Sequence, residues 1–184
     1  MNIKSSEKIR LNSPRSSVQT LSLVLILFLI PTPALADDWD VITHTDTNSD
    51  IETQVAYSKN KDGYSLEIYK DSVGAIRSRF SLNSALDKFA KYTCPTYQID
   101  SRSLDNRSIN DAPCLTDMTW SEFILGYISD ENVTSARLNA LMNGRAITFR
   151  FMLENGSYDE TQFSLVGSKR TTLIVLGNNI TINP

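Results

Sequence analysis

Few side chains in this chain have the type and spacing to do chemistry. His44 is the single histidine, so any Ser/His/Asp or Cys/His arrangement has to use it. It stands in Thr43-His44-Thr45-Asp46-Thr47-Asn48, a polar stretch that reads as a strand end, and a general base there needs a positioned partner. A zinc centre needs three or four ligands of suitable type. One histidine and two cysteines expected to bridge do not make a common set, so neither a metal nor a cofactor is expected. Carboxylate-only acid–base work, as in glycosidases, stays open through Asp159-Glu160 and Asp130-Glu131, each of which also reads as a solvated strand end or turn. Arg77 and Arg79 share one polar strand face and could receive an anionic group at the surface. The simpler reading makes them solvated edge charges that discourage sheet-to-sheet aggregation. Gly144-Arg145 and Gly167-Ser168-Lys169 set a glycine beside a base without a P-loop or dinucleotide fingerprint, and read as turns. No catalytic residue is assigned.

The two cysteines, Cys94 and Cys114, are an even pair in a chain that reads as exported, so one disulfide is expected. It encloses a loop of about 20 residues, for which loop-closure entropy gives roughly 3 kcal/mol. Ser101 to Pro113 inside it carries Asp105-Asn106, Asn110-Asp111 and Pro113 but few apolar residues, the composition of irregular chain.

Export is read from the first 36 residues. Lys4, Lys8, Arg10 and Arg15 precede the apolar run Leu21 to Ile30, and Pro31, Pro33 and Ala34-Leu35-Ala36 form a helix-ending, small-residue cleavage site. Signal peptidase is expected to cut between Ala36 and Asp37. Even Val18 to Ile30 is short of the roughly 20 apolar residues of a spanning helix, so no stable membrane insertion is expected after cleavage. Cleavage leaves 148 of the 184 residues, a usual size for one domain. The leader takes four of the 18 basic and one of the 21 acidic residues, leaving 14 against 20 and a formal charge of −6. That sign argues against nucleic acid as a partner.

The elements that must position these groups are mostly strands. Trp39 to Thr43 opens the series, and Ile51, Thr53, Val55 and Tyr57 then alternate with Glu52, Gln54, Ala56 and Ser58. Asn60-Lys61-Asp62-Gly63 turns the chain into Tyr64 to Tyr69, and Asp71 to Gly74 turns it again into Ile76, Ser78, Phe80 and Leu82, a four-strand meander. Asn83 to Tyr92 reads as a short helix on the spacing of Leu82, Leu86 and Phe89. Thr96 to Asp100 reads as a brief strand and Trp120 to Ser129 as a longer one. Asn132 or Thr134 is the expected cap of a helix over Ser135 to Met142, ended at Asn143-Gly144 by a left-handed residue. Ala146 to Glu154 and Tyr158 to Leu165 form the last hairpin. A loop of Asn155-Gly156-Ser157, a type I turn closed by a left-handed glycine, would set Phe149 against Phe163 and Ile147 against Leu165. Ser168 caps a final helix, Lys169 to Leu176. The expected layout is a cleaved signal over 1–36, one β-rich domain over 37–177 and a flexible tail over 178–184. The fold class is mainly β, a β-sandwich or open barrel of antiparallel strands with two or three short helices.

An exported chain that opens on Trp39-Asp40-Val41, runs through a hairpin and an alternating strand, and later carries Phe163-Ser164-Leu165-Val166-Gly167-Ser168 into a short helix resembles the invasion-associated locus B family of bacterial envelope proteins. The resemblance implies a β-sandwich-like domain in the periplasm or outer envelope, linked in some members to host-cell association. The family places cysteines roughly where His44 and Gln54 stand here, so the disulfide pattern departs from it, and it supplies no catalytic residues. The function expected is a periplasmic or secreted, non-enzymatic binding or structural protein whose partner is an envelope protein or glycan. The alternative is a small periplasmic hydrolase using carboxylates alone, or an inhibitor of one.

Overall fold

The computed structural model describes residues 39–45, 51–102 and 114–184, all within one compact unit, Leu35–Pro184. The expected leader with its cleavage point, and residues 103–113 of the disulfide loop, lie outside the described residues. The fold is mainly β, with antiparallel sheets and, among the described residues, two helices.

The expected meander forms β1 (Trp39–Thr45), β2 (Glu52–Lys59), β3 (Ser65–Lys70) and β4 (Ala75–Ser81), each antiparallel to the last. A second hairpin, β6 (Leu115–Thr116) and β7 (Trp120–Tyr127), adds to β4 through β7 and completes a sheet ordered β1-β2-β3-β4-β7-β6. β5 (Thr96–Ile99), β9 (Ala146–Met152) and β10 (Tyr158–Ser164) form a second sheet ordered β10-β9-β5. Because side chains alternate across a strand, each sheet sends every second residue inward. Leu66, Ile68, Ile76, Phe80 and Phe123 from the large sheet meet Ile147, Phe149, Phe151 and Phe163 from the small one, all of them buried. Phe80 stacks on Phe149 with ring centroids 4.4 Å apart, and Phe163 stands edge-on to both. Stacked and edge-on contacts of this kind suit the ring quadrupoles, so the sandwich is held mainly by aromatic burial between its sheets.

Two helices close the core. α1 (Ala136–Asn143) is capped by Ser135, whose Oγ accepts from Leu138 N at 3.1 Å and donates to the Leu125 carbonyl. The expected caps Asn132 and Thr134 belong instead to β8 (Asn132–Thr134). Gly144 ends α1 in an extended conformation, φ −77°, not the expected left-handed one. Its glycine is needed for space: a Cβ there would sit 2.7 Å from Ile99 Cγ2 and 2.9 Å from the Ala140 carbonyl. α2 (Ser168–Leu176) starts after Gly167 at φ 92°, and its expected cap Ser168 instead donates to the Leu141 carbonyl at 3.1 Å, tying α2 to α1.

Three further expectations are corrected. Residues 83–92 form no helix. Their amides turn outward, Phe89 N to Met118 O and Ala90 N to Met152 O, both at 2.8 Å, so the segment bridges two neighbours while Leu86 is left exposed. The tail read as flexible forms β11 (Thr181–Asn183), parallel to β8, with Thr181 N donating to the Glu131 carbonyl. The last hairpin has a three-residue loop closed by a left-handed glycine, Gly156 at φ 85°, but the loop is Glu154-Asn155-Gly156, with Leu153 N bonded to Ser157 O. Starting one residue earlier moves the register by two. Phe149 therefore faces Thr161 and Ile147 faces Phe163, with the apolar residues kept on their predicted face.

Candidate functional site

The outward face of the large sheet collects the polar groups. Registers put Asp40, Tyr57, Glu67, Arg79, Glu122 and Leu115 in one row across all six strands. The neighbouring row holds Ile42, Val55, Tyr69, Arg77 and Ile124. Both arginines named from the sequence lie here, on β4. β4 is an interior strand between β3 and β7, which corrects the reading of edge charges.

At the centre is Glu122, whose side chain is only 5% exposed. Its Oε1 accepts from Arg77 Nη1 at 2.8 Å. Its Oε2 accepts from Arg79 Nη2 at 2.9 Å, from Arg79 Nε at 3.1 Å and from the Tyr69 hydroxyl. Arg77 also donates through Nε to Asp71 at 2.7 Å, and Asp71 is itself held by the Val73 and Ala75 amides. The Arg79 guanidinium lies 4.8 Å from the Trp120 ring centroid and 5.4 Å from that of Tyr69, so it is packed by aromatic faces as well as by charge.

The electrostatics follow from these contacts. Burial alone would raise the Glu122 carboxyl, but the Tyr69, Arg79 and Arg77 hydrogen bonds outweigh it and hold the group below its ordinary value. Asp71 is lowered in the same way, burial being outweighed by Arg77 and the two amides. Burial, then the bond to Glu122, drives the Tyr69 phenol up. Two guanidiniums and two carboxylates balance, so the cluster has no excess charge to offer a partner.

His44 ends β1 as expected, and it has the positioned partner that its sequence context could not supply. Its Nε2 lies 3.2 Å from Glu67 Oε1, with the imidazole half-exposed and the glutamate nearly covered. The pair reaches across β2, above the buried Val55. Tyr57, opposite Glu67, has its phenol raised by burial and then by the Glu67 charge.

The carboxylate pairs are not brought together as acid–base pairs. Asp159 and Glu160 are consecutive strand residues on opposite faces. Asp159 accepts from the Tyr64 hydroxyl at 2.8 Å while Glu160 pairs with Arg150. Asp130 and Glu131 form the two-residue turn from β7 to β8, both at positive φ. Cys94 and Cys114 are disulfide-bonded, with Cα atoms 6.0 Å apart. Among the described residues no three His, Cys, Asp or Glu side chains gather as a metal site, and no helix is long and apolar enough to cross a membrane. A polar groove of about 530 Å³ opens between residues 58–62 and 160–164, away from Arg77 and Arg79.

Reasoning from the sequence missed Glu67, Tyr69, Asp71, Trp120 and Glu122. One signal was present: Glu67 and Glu122 each interrupt an apolar strand at its middle, and a carboxylate there needs a partner on the same face. No protein-family model, curated protein or solved structure matches the chain.

Proposed function

We propose that this chain is an exported, non-enzymatic binding or structural protein of a bacterial envelope, and that the outward face of its six-stranded sheet is the surface it presents. The observation that carries the reading is the internal saturation of the Glu122 cluster at the centre of that face. Glu122 is a carboxylate with both oxygens occupied and its proton affinity lowered, which makes it a poor general acid and a poor general base. What the face does offer is a broad, rigid platform in which Tyr57, Tyr69 and Trp120 are partly exposed beside fixed polar groups, a combination suited to an envelope glycan or a protein surface. The disulfide supports an oxidising compartment, and the resemblance to the invasion-associated locus B family favours an envelope role linked to host-cell association.

The test is complementation of a deletion strain, read as host-cell association, alongside a thermal-shift screen of soluble envelope glycans against the purified protein. His44→Ala, Asp159→Asn and Glu160→Gln should each retain function, because on this reading no single polar side chain carries an activity. A Tyr69→Ala/Trp120→Ala double variant that stays folded should lose it. Loss of function in a well-folded variant at His44, Asp159 or Glu160, with the double variant active, would replace this reading by a carboxylate-dependent hydrolase.

A further inference from the structure

Four strands terminate the two main sheets: β1 and β6 the larger, β5 and β10 the smaller. A sheet edge presents unpaired N–H and C=O groups, and monomeric proteins blunt it by shortness, bulges, lysine, proline or a cover. β6 has two residues and β5 four. β10 has seven, but its C-terminal half is covered: Gln162 O accepts from Asn60 Nδ2 at 3.0 Å and Ser164 O from Trp39 Nε1 at 2.9 Å. β1 is equally long and differs. It pairs with β2 over seven unbroken positions, contains no proline, lysine or arginine, and has no described strand on its other side.

We propose that β1 is a self-association edge, through which two copies of this chain pair antiparallel and join their six-stranded sheets into one. The occupant is a second copy because β1 is complementary to itself. Trp39 is fully buried and tied to β10, so the open stretch begins at Asp40, and pairing residues 40–44 with the same five residues puts the two-fold axis at Ile42. Asp40 then faces the second copy's His44, and by symmetry the contact occurs twice. Asp40, Ile42 and His44 share the outward face, so a carboxylate opposes an imidazole on each side of an Ile42–Ile42 contact. A slip of two residues sets Ile42 against Asp40 or His44 and leaves strand ends unpaired. A slip of one sets outward residues against inward ones. The Nε2 of His44 is engaged by Glu67, leaving Nδ1 for the incoming carboxylate.

Sedimentation velocity of the purified protein from about 1 to about 100 µM, a range spanning ordinary dimer affinities, is the test. A dimer is expected. Asp40→Lys, which leaves the His44–Glu67 pair intact and places a cation opposite each imidazole, should weaken association at least about tenfold. The charge swap Asp40→Lys/His44→Asp should restore it, and circular dichroism and melting curves confirm that each variant is folded. A monomer at every concentration, a folded Asp40→Lys variant that associates like the parent, or a swap no stronger than Asp40→Lys alone would each overturn the proposal.

Discussion

Replacing Glu122 with glutamine changes charge with little change of shape at the most constrained polar position on the sheet. The carboxylate accepts four hydrogen bonds from three side chains while 5% exposed. An amide supplies one acceptor oxygen and turns an NH2 donor toward either Arg77 or the Arg79–Tyr69 pair, so one side of the cluster loses its acceptor. Breaking a fully buried ion pair costs about 3–5 kcal/mol. Here Arg77 keeps Asp71, and the two arginine side chains are 20% and 34% exposed, so water recovers part of the loss. The expected destabilisation is about 2–3 kcal/mol at pH 7, or a fall in Tm of about 6–10 °C for a domain of this size. The pH dependence provides a second check. A carboxylate whose folded value is depressed contributes its full stability above its ordinary value of 4.5 and loses it as the pH falls through the folded value. The gap between the parent and Glu122→Gln should therefore be constant from pH 7 to 5 and close as the pH falls below about 4.5. Asp71 is present in both proteins and largely cancels. Urea unfolding followed by circular dichroism at pH 7, 5, 4 and 3 measures the gap. A loss under about 0.5 kcal/mol at pH 7, or a gap that persists unchanged at pH 3, would refute the electrostatic account.

Cys94→Ser should lower stability by about 3 kcal/mol in the same assay, and alkylation of the unreduced parent should find no free thiol; a loss under about 1 kcal/mol would contradict loop closure as the role of the bridge. Glu131→Gly should raise stability by about 0.5–1 kcal/mol, because Glu131 sits at φ 62°, where a Cβ costs about 1–2 kcal/mol, partly offset by the lost bond from Asn179 and the freer unfolded chain. An unchanged or lower Tm would count against strain in that turn. Thr172 lies fully buried in α2, and its Oγ1 has no hydrogen-bond partner among the described residues. Thr172→Val, equal in shape without the hydroxyl, should therefore gain about 1 kcal/mol, whereas a loss would mean that the hydroxyl is bonded.

Much of the strand layout was legible because period-two alternation is a local property. Ile147, Phe149 and Phe151 declare a buried face whatever the partner strand. Turn residues declare themselves too: Gly63, Gly74 and Gly156 all sit at positive φ where the chain reverses. Spacing misled where two structures satisfy the same pattern. Leu82, Leu86 and Phe89 fit a helix, yet the segment spends its amides on Met118 and Met152, and only Phe89 is drawn deep into the core. The C-terminal residues looked unsupported because their partner, β8, is nearly fifty positions away.

By itself, the sequence determined a mainly β chain, the face each strand buries, the availability of one disulfide and the scarcity of catalytic side chains, since each depends on residue type and short-range order. Only the tertiary structure decided what the charged residues do. Arg77 and Arg79 read as free surface charges until β7 is laid beside β4 and Glu122 falls between them. His44 read as solitary until β1 and β3 bring it to Glu67. Strand order and register depend on the summed burial of the whole core, and no local pattern encodes them. Electrostatic partners separated by 23 to 45 residues are therefore set by the packing that brings their strands together.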